Sequence, residues 1–542
     1  MFVKVTKSKN FSYVQLVESF RDKGKIKHRV LLNLGRLDLL TENNQLAKIS
    51  KKLLELSGEQ CFIPEDIKEI SRLKYGHLAY KVLWDKLDIG SIVDELLKKT
   101  KITFNLIDTI FYLTANRLLE SSSKKKAYER QNNYYQLDSK IKLQHIYRSL
   151  DFLSDKKENI ESYLFEKQRD LFHMSLDVVF YDVTTFHYES QKSDDLRDFG
   201  FSKANKINEV QVVLGLLINN EGRPVGYELF EGNISEGKTI VSSLEKLQSR
   251  FQIEKVIIVA DKAMFSYKNL HLIRQSGFDY IVSSKIKNAG KSLQDEVFDS
   301  VGYIDQIDQE TGELLHCYKA IENEFTWQDK QANTKHKYKD RILISWSSLR
   351  AYNDNKKRKR LIERAEKRLK EGNKNATQKK GAARYFKTDH QSKIIEIDQE
   401  KIKQDEKWDG YYAVQYSGKE LTHQQIMEQY HQLWKIEESF RIMKTTMKTR
   451  PIFHWTPKRI KGHFMLSFIA FLLERTLEIK LKKNGINLSP EKIKESLNSL
   501  QLSELEIENK RYYLKSKNLS PANKILRILK IKPFKNITSI EE

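Results

Sequence analysis

Two short apolar runs each lead straight into an aspartate, and a hairpin stands between them. Leu176 to Tyr181 reads as a strand ending at Asp182, with Thr184 and Thr185 beyond, and Val256 to Ala260 reads as a strand ending at Asp261. In between, Val210 to Ile218 and Pro224 to Phe230 flank Asn219-Asn220-Glu221-Gly222, a hairpin turn signal. Ser235 to Phe251 has the texture of a helix, and a helix near Tyr267 to Arg274 leads to a last strand from Tyr280 to Ser284. An antiparallel hairpin joined to a strand, helix and strand predicts an α/β sheet of mixed direction.

A third carboxylate belongs to a later helix. The stretch from Tyr430 to Lys444 has no Pro or Gly, and Thr422 with Gln425 has the spacing of a capping box. Positions seven apart on a helix lie nearly above one another. Tyr430, Glu437 and Lys444 therefore predict one polar column, while Leu433, Ile436, Phe440 and Met443 can pack inward. Glu437 falls about 20° from Tyr430 and Glu438 about 80°, which places Glu437 in the column.

The 542 residues exceed one core and divide by texture. Residues 1–38 read as a small β-hairpin region and 39–170 as a helical, DNA-binding candidate with the basic loop Ser121 to Lys126. Residues 171–286 read as the first part of an α/β core, 287–408 as a basic interruption with polar strand candidates, 409–480 as the second part with the glutamate helix, and 481–542 as a helical tail. Lys356 to Lys387 carries 14 basic and 3 acidic side chains, net +11 (14 − 3), and Arg441 to Lys461 has seven basic residues and no acid, interleaved with Phe453, His454 and Trp455.

With 96 Lys and Arg against 73 Asp and Glu, the net charge of +23 calls for a polyanionic partner. The longest apolar run, Phe464 to Leu473, is too short for a membrane span, and there is no signal-peptide pattern. Cys61 and Cys317 have no paired spacing, which speaks against a disulfide framework or a zinc site and fits a reducing cytoplasm.

Strand-end aspartates are commonly turn or helix caps. Two of them with a helix-borne glutamate are also what nucleic-acid phosphoryl transfer needs: an acidic cluster holding two divalent ions, for which carboxylates select Mg²⁺. Two rivals are a P-loop NTPase and a DNA-binding regulator without catalysis. Gly232-Asn233-Ile234-Ser235-Glu236-Gly237-Lys238-Thr239 matches the P-loop pattern, but the strand before it is the second arm of a hairpin rather than a strand in a parallel sheet.

The sequence resembles insertion-sequence DDE transposases of the IS-four superfamily, whose signature places Tyr, Arg, Glu and Lys at steps of three, four and seven. Tyr430, Glu437 and Lys444 fall on three positions; Leu433 stands where the pattern has Arg, and Arg441 is the candidate to reach a similar place. Gly200-Phe201-Ser202-Lys203, Gln211 to Leu216, Gly226 to Asn233, Arg450-Pro451, His454-Trp455 and Arg459 to His463 resemble the group's other blocks, whereas Lys262-Ala263 departs from them. The resemblance implies an α/β RNase H-like catalytic core with a β-rich insertion, preceded by a mainly helical N-terminal region. It implies Asp182, Asp261 and Glu437 as catalytic metal ligands for two Mg²⁺, with Mn²⁺ able to substitute. Tyr430, Lys444 and Arg441 would contact DNA, and Trp327, or else Trp346, would stack on a base if a hairpin intermediate forms. The implied partners are terminal inverted repeats, target DNA and a second copy in a homodimer, in a bacterial cytoplasm on nucleoid DNA.

Overall fold

The computed structural model describes the chain except residues 24, 43, 59–66, 138–139, 175–176, 190–191, 201–207, 252–255, 262–265, 330–332, 372–380, 389–393, 419–420, 451, 508–509 and 541–542. Cys61, Phe201 to Lys203, Lys262-Ala263 and Pro451 lie outside the described residues. The chain divides into two compact units: Met1–Ile70 with Glu504–Tyr513 and Ser539–Glu542, and Ser71–Ser503 with Leu514–Thr538.

In the first unit, β1 (Phe2–Ser8), β2 (Phe11–Asp22) and β3 (Lys25–Arg36) form an antiparallel sheet, followed by α1 (Leu37–Glu42) and α2 (Gln45–Ser57). The arms expected around Asp22 to Lys25 are β2 and β3, and β1 adds a strand that the sequence reading did not separate. Strand β4 (Ile67–Lys74) leads on along the chain.

The second unit begins with helices α3 (Leu78–Lys86), α4 (Ile89–Leu97), α5 (Leu106–Leu119), α6 (Lys124–Glu129), α7 (Leu143–Asp155) and α8 (Lys157–Phe172). Then come β5 (Val178–His187), β6 (Gln211–Asn219), β7 (Pro224–Glu231), α9 (Glu236–Phe251), β8 (Ile257–Ala260), α10 (Tyr267–Gln275) and β9 (Asp279–Ser283). β5, β6 and β7 pair antiparallel; β8 runs parallel to β5, and β9 parallel to β8.

The stretch 287–408 supplies α11 (Lys291–Phe298), β10 (Ile304–Ile307), β11 (Leu314–Asp329), β12 (Thr334–Ser347), α12 (Ser348–Lys370), the small pair β13 (Phe386–Thr388) and β14 (Ile394–Ile397), and α13 (Gln399–Glu406). The return strand β15 (Tyr411–Tyr416) pairs with both β12 and β9. Strands β10 to β12 thereby extend the sheet instead of interrupting it, giving nine strands in the order β10-β11-β12-β15-β9-β8-β5-β6-β7.

Alternation along β5 decides what faces what. Val179, Tyr181 and Val183 join the apolar cluster with Phe165 of α8, Ile240 and Leu244 of α9 and Leu270 of α10. Phe186 points to the other face, where it meets Phe464 edge-on at 5.1 Å between ring centres, and Asp182 and Thr184 share that side by the period of two. Phe464 belongs to α16 (Pro457–Lys483), which is buried from Gly462 to Leu477 and also packs on α3, α5 and α7. Its apolar run is a core helix, and no helix among the described residues is long and apolar enough to cross a membrane.

Three expectations require correction. Asp182 does not end its strand: pairing with β6 carries β5 on to His187, and only the parallel pairing with β8 stops before Asp182. The glutamate helix is not continuous. It is α14 (His423–His431), then α15 (Trp434–Arg441), then a π-turn (Ile442–Thr446). At the joint, the amides of Leu433, Lys435 and Ile436 bond back three residues rather than four, and Lys435 Nζ reaches across to the Gln432 side chain and the Asn220 carbonyl. The tail is not purely helical, because α17 (Pro490–Asn498) and α18 (Ser520–Ile528) alternate with β16 (Gln501–Ile507), β17 (Lys510–Lys515) and β18 (Ile537–Ile540). The apolar alternation Leu502, Leu505, Ile507 and Tyr512 to Leu514 is too irregular to read as strand without its partners.

Candidate active site

Register sets the two aspartates side by side. Tyr181 of β5 pairs with Ala260 of β8, and Ala260 pairs with Val282 of β9, so the next step along each strand is Asp182, Asp261 and Ser283. Neighbouring strands lie about 4.8 Å apart, which puts the two carboxyl-bearing positions within reach of a common ligand. Asp182 is half-buried and Asp261 exposed, as a site open to a large substrate requires. Asp182 Oδ1 accepts a bond from its neighbour's amide, Val183 N, at 2.7 Å.

Helices cross this row of strand ends, α14 packing on β8 and β9 and α15 on β5 and β6. Tyr430, near the end of α14, hydrogen-bonds Ser283; burial raises its phenol pKa, and the charges of Asp261 and Glu437 push the same way. Both carboxylates therefore stand close to one phenol. At the far end, Lys444 Nζ donates to Thr184 Oγ1, two residues along β5 from Asp182, and lies 5.4 Å from the Phe186 ring centre. Tyr430 thus meets the strands at Ser283 and Lys444 meets them at Thr184, on either side of the two aspartates. The joint and the π-turn change the pitch that the column argument assumed, and Tyr430 and Lys444 are tied to the strands by their bonds to Ser283 and Thr184.

Glu437 and Glu438 have different fates. Glu437 is exposed on the side of Tyr430, whereas Glu438 Oε2 accepts from Arg475 Nη2 at 3.0 Å and Oε1 from Arg441 Nη2 at 3.4 Å. Arg441 is exposed and drawn to that acid, on the Glu438 flank of the helix. Among the described residues, no three His, Cys, Asp or Glu side chains are grouped so as to hold a metal ion between them. What is present is an open pair of aspartates on neighbouring strands, with Asp261 and Glu437 both acting on the Tyr430 phenol; their oxygens are of the hard kind that divalent ions take.

The sequence reading missed Arg350. It follows β12 on α12, stacks over Tyr412 at 4.7 Å, and its charge is felt by Tyr430 and His431. Arg350 and Lys357 line an open cavity of about 550 Å³ with His316, Tyr412 and His431. No motif marks Arg350, because only the pairing of β12 with β15 brings α12 to the site. The two tryptophans separate clearly. Trp346 donates its indole N–H to the Asp409 carbonyl at 3.0 Å, while Trp327 on β11 lies 6.2 Å from the His271 ring on α10, the helix after Asp261.

The P-loop pattern fails in place. Gly232 follows β7, the antiparallel edge strand, and a Cβ there would meet the Gln211 carbonyl at 2.1 Å, so this glycine serves close backbone packing. Thr239, which would have to face a nucleotide-bound metal, is buried and accepts a bond from Tyr181 Oη at 2.8 Å.

A mixed sheet that sets two aspartates on neighbouring strands, beneath a helix with a further acid and basic flanks, is an arrangement suited to phosphoryl transfer on a polyanion. The chain belongs to the DDE transposase family: the family model described as "Transposase DDE domain" matches residues 173–473, more than half of its length. A second model, the N-terminal domain of IS1634 family transposases, matches residues 3–66. The protein is a DNA transposase, and membership carries a general dependence on divalent metal. Among solved structures it is similar to a piggyBac transposase synaptic complex with hairpin DNA, at 9% identity over 79% of this chain and 80% of that one, with a TM-score of 0.34. It is also similar to a pre-cleavage Mos1 transpososome, at 9% identity over 34% of this chain and 60% of that one, with a TM-score of 0.15. No curated protein matches the chain.

Proposed function

We propose that the protein cuts and rejoins DNA at the terminal inverted repeats of its own insertion sequence, with Asp182, Asp261 and Glu437 as the reactive centre. The observation that carries this reading is the register that sets Asp182 beside Asp261, with Tyr430 close to both Asp261 and Glu437. An RNase H-like core is supported by the run β7-β6-β5-β8-β9, three antiparallel strands followed by two parallel ones. Asp182, Asp261 and Glu437 offer the hard oxygen donors that two Mg²⁺ ions would take; when bound, these would activate the attacking oxygen and stabilise the leaving one.

Water attacks the phosphodiester at the element's end, the P–O3′ bond breaks, and the 3′ oxygen leaves with a proton. That 3′-hydroxyl then attacks a target phosphodiester, displacing a second 3′ oxygen. Tyr430 and Lys444 hold phosphates on either side of Glu437, and Arg350 supplies the cation that Leu433 cannot, with Arg441 on the opposite flank. The commitment of Trp346 to Asp409 favours Trp327 for stacking on an unpaired base. Two copies bridging two ends, working on nucleoid DNA in a bacterial cytoplasm, complete the proposal.

The test is a labelled duplex carrying the element's own end, incubated with Mg²⁺, with Ca²⁺ or with chelator, and the breaks mapped by nucleotide. Cleavage at the end in Mg²⁺, lost in Asp182→Asn and Asp261→Asn with DNA binding retained, is expected. Equal cleavage by either variant would remove that aspartate from the centre.

A further inference from the structure

Two basic stretches far apart in sequence, Ser121 to Lys126 and Lys448 to Lys461, meet in a cavity of about 310 Å³ beside α16. Its walls include Arg117, Lys124, Lys125, Lys448, Arg450 and His454, and no carboxylate is among its described lining residues. Arg117 is 5% and Lys124 6% exposed, so two basic side chains are withdrawn from water with no acid beside them among the cavity's described lining residues. Arg117 Nη1 donates to the Lys448 carbonyl at 2.9 Å, but its Nε, also buried, has no partner among the described residues. Burial holds the Lys124 ammonium well below its ordinary pKa, and Arg117 adds to the depression. Uncompensated buried charge is costly enough that folds rarely keep it without a ligand to complete it.

We propose that this cavity is a seat for one backbone phosphate of the DNA, bound deep against Lys124 and Arg117 and apart from the carboxylate centre. The inference rests on the DNA reading above. The chemistry is that of a phosphodiester: Lys124 supplies a point charge, the Arg117 Nε–H an unused donor, and Lys125, Lys448 and Arg450 a rim that follows the adjoining backbone. Phe453, 60% exposed at the mouth, offers a ring to the neighbouring sugar or base. Position gives the seat a purpose. Lys448 lies just beyond the π-turn that carries Lys444, so a phosphate held here sets the strand's register against Asp182 and Glu437.

Lys124→Gln in the full chain separates a ligand seat from a structural lysine. Without DNA it should melt at or near the wild-type temperature, because burial already works against the charge of the amine it replaces. With end duplex its affinity should fall roughly tenfold, as expected for one charge-assisted contact, and the slope of log affinity against log salt should flatten by about one. Arg450→Gln should flatten the slope as well, which keeps the test alive if Lys124→Gln folds poorly. Unchanged affinity and slope in both variants would overturn the seat. Inorganic phosphate that raises the wild-type melting temperature, but not that of Lys124→Gln, and is not competed by duplex would make it a free-phosphate site and overturn the DNA assignment. Asp182→Asn, with the cavity intact, should keep full affinity and slope while failing to nick, so loss of cleavage there tests the carboxylate centre alone.

Discussion

At the scale of single residues, the adjacent acids of α15 give the sharpest contrast. Glu438 is engaged by Arg475 at 3.0 Å and Arg441 at 3.4 Å, while Glu437 stands exposed near Tyr430. Glu437→Gln should therefore abolish strand cleavage and leave folding and DNA binding intact. Glu438→Gln should keep substantial cleavage but lose about 1–2 kcal/mol of stability, since the buried Arg475 then keeps Glu478 alone as an acidic partner among the described residues. A labelled element end and a denaturant curve on each variant decide it, and the opposite ranking in cleavage would reject the assignment. Arg350→Ala should weaken end binding roughly tenfold, the size of one charge-assisted bond, without changing the melting temperature; a change in melting temperature alone would make Arg350 a packing residue. Spacing and resemblance singled out Glu437 as a candidate. Neither marked Arg350, because it lies far from every motif and reaches the site only through strand pairing.

At the scale of elements, the strands from β5 to β9 could be read from apolar runs, turn signals and their order. The failures share one cause, which is that neighbours override local pattern. Asp182 looked like a strand end because the apolar run stops there, yet β6 holds the backbone extended to His187. The helix through Tyr430 looked continuous because nothing in it breaks helices, yet Lys435 is pulled toward the Asn220 carbonyl. The P-loop match was local too. Lys238 is exposed beside the buried Thr239, so Lys238→Ala should leave any nucleotide hydrolysis at background, and robust ATPase activity lost in that variant would restore the rival. A packing test lies at the crossing of α16 and α7, where a Cβ on Gly462 would sit 1.9 Å from the Leu150 carbonyl oxygen. Backbone cannot swing away as a side chain would. Gly462→Ala should thus cost about 2–3 kcal/mol by overpacking, read as a lower denaturation midpoint with an unchanged slope.

At the scale of the whole molecule, charge was the most legible property, since a net +23 needs no structure to predict a polyanionic partner. Where buried charge sits was not legible, and it shapes the dependence of stability on pH. Burial depresses the pKa of His77 to about 4 and of His454 to about 3, and it holds His463 well below the ordinary value, with Arg117 reinforcing the last two. Burial acts on the acid Glu474 in the opposite sense, raising it to about 8. The signs oppose one another. Between pH 4 and 6.5 the unfolded chain binds histidine protons that the folded chain refuses, so this contribution is complete above 6.5 and is lost as pH falls. Glu474 gives stability that is present below its unfolded value near 4.5 and is lost as pH rises toward 8. A bare melting profile mixes the two, and a difference profile isolates one. Against His77→Gln, the wild-type advantage should be constant above pH 7 and shrink by about 1.4 kcal/mol per pH unit below 6.5. By pH 4 that sums to roughly 3 kcal/mol. Denaturant curves for the two proteins at pH 7.5, 6, 5 and 4.5 measure it, and a pH-independent difference would show that His77 is protonated in the fold and that its packing against Tyr134, 5.6 Å between ring centres, does not keep it neutral.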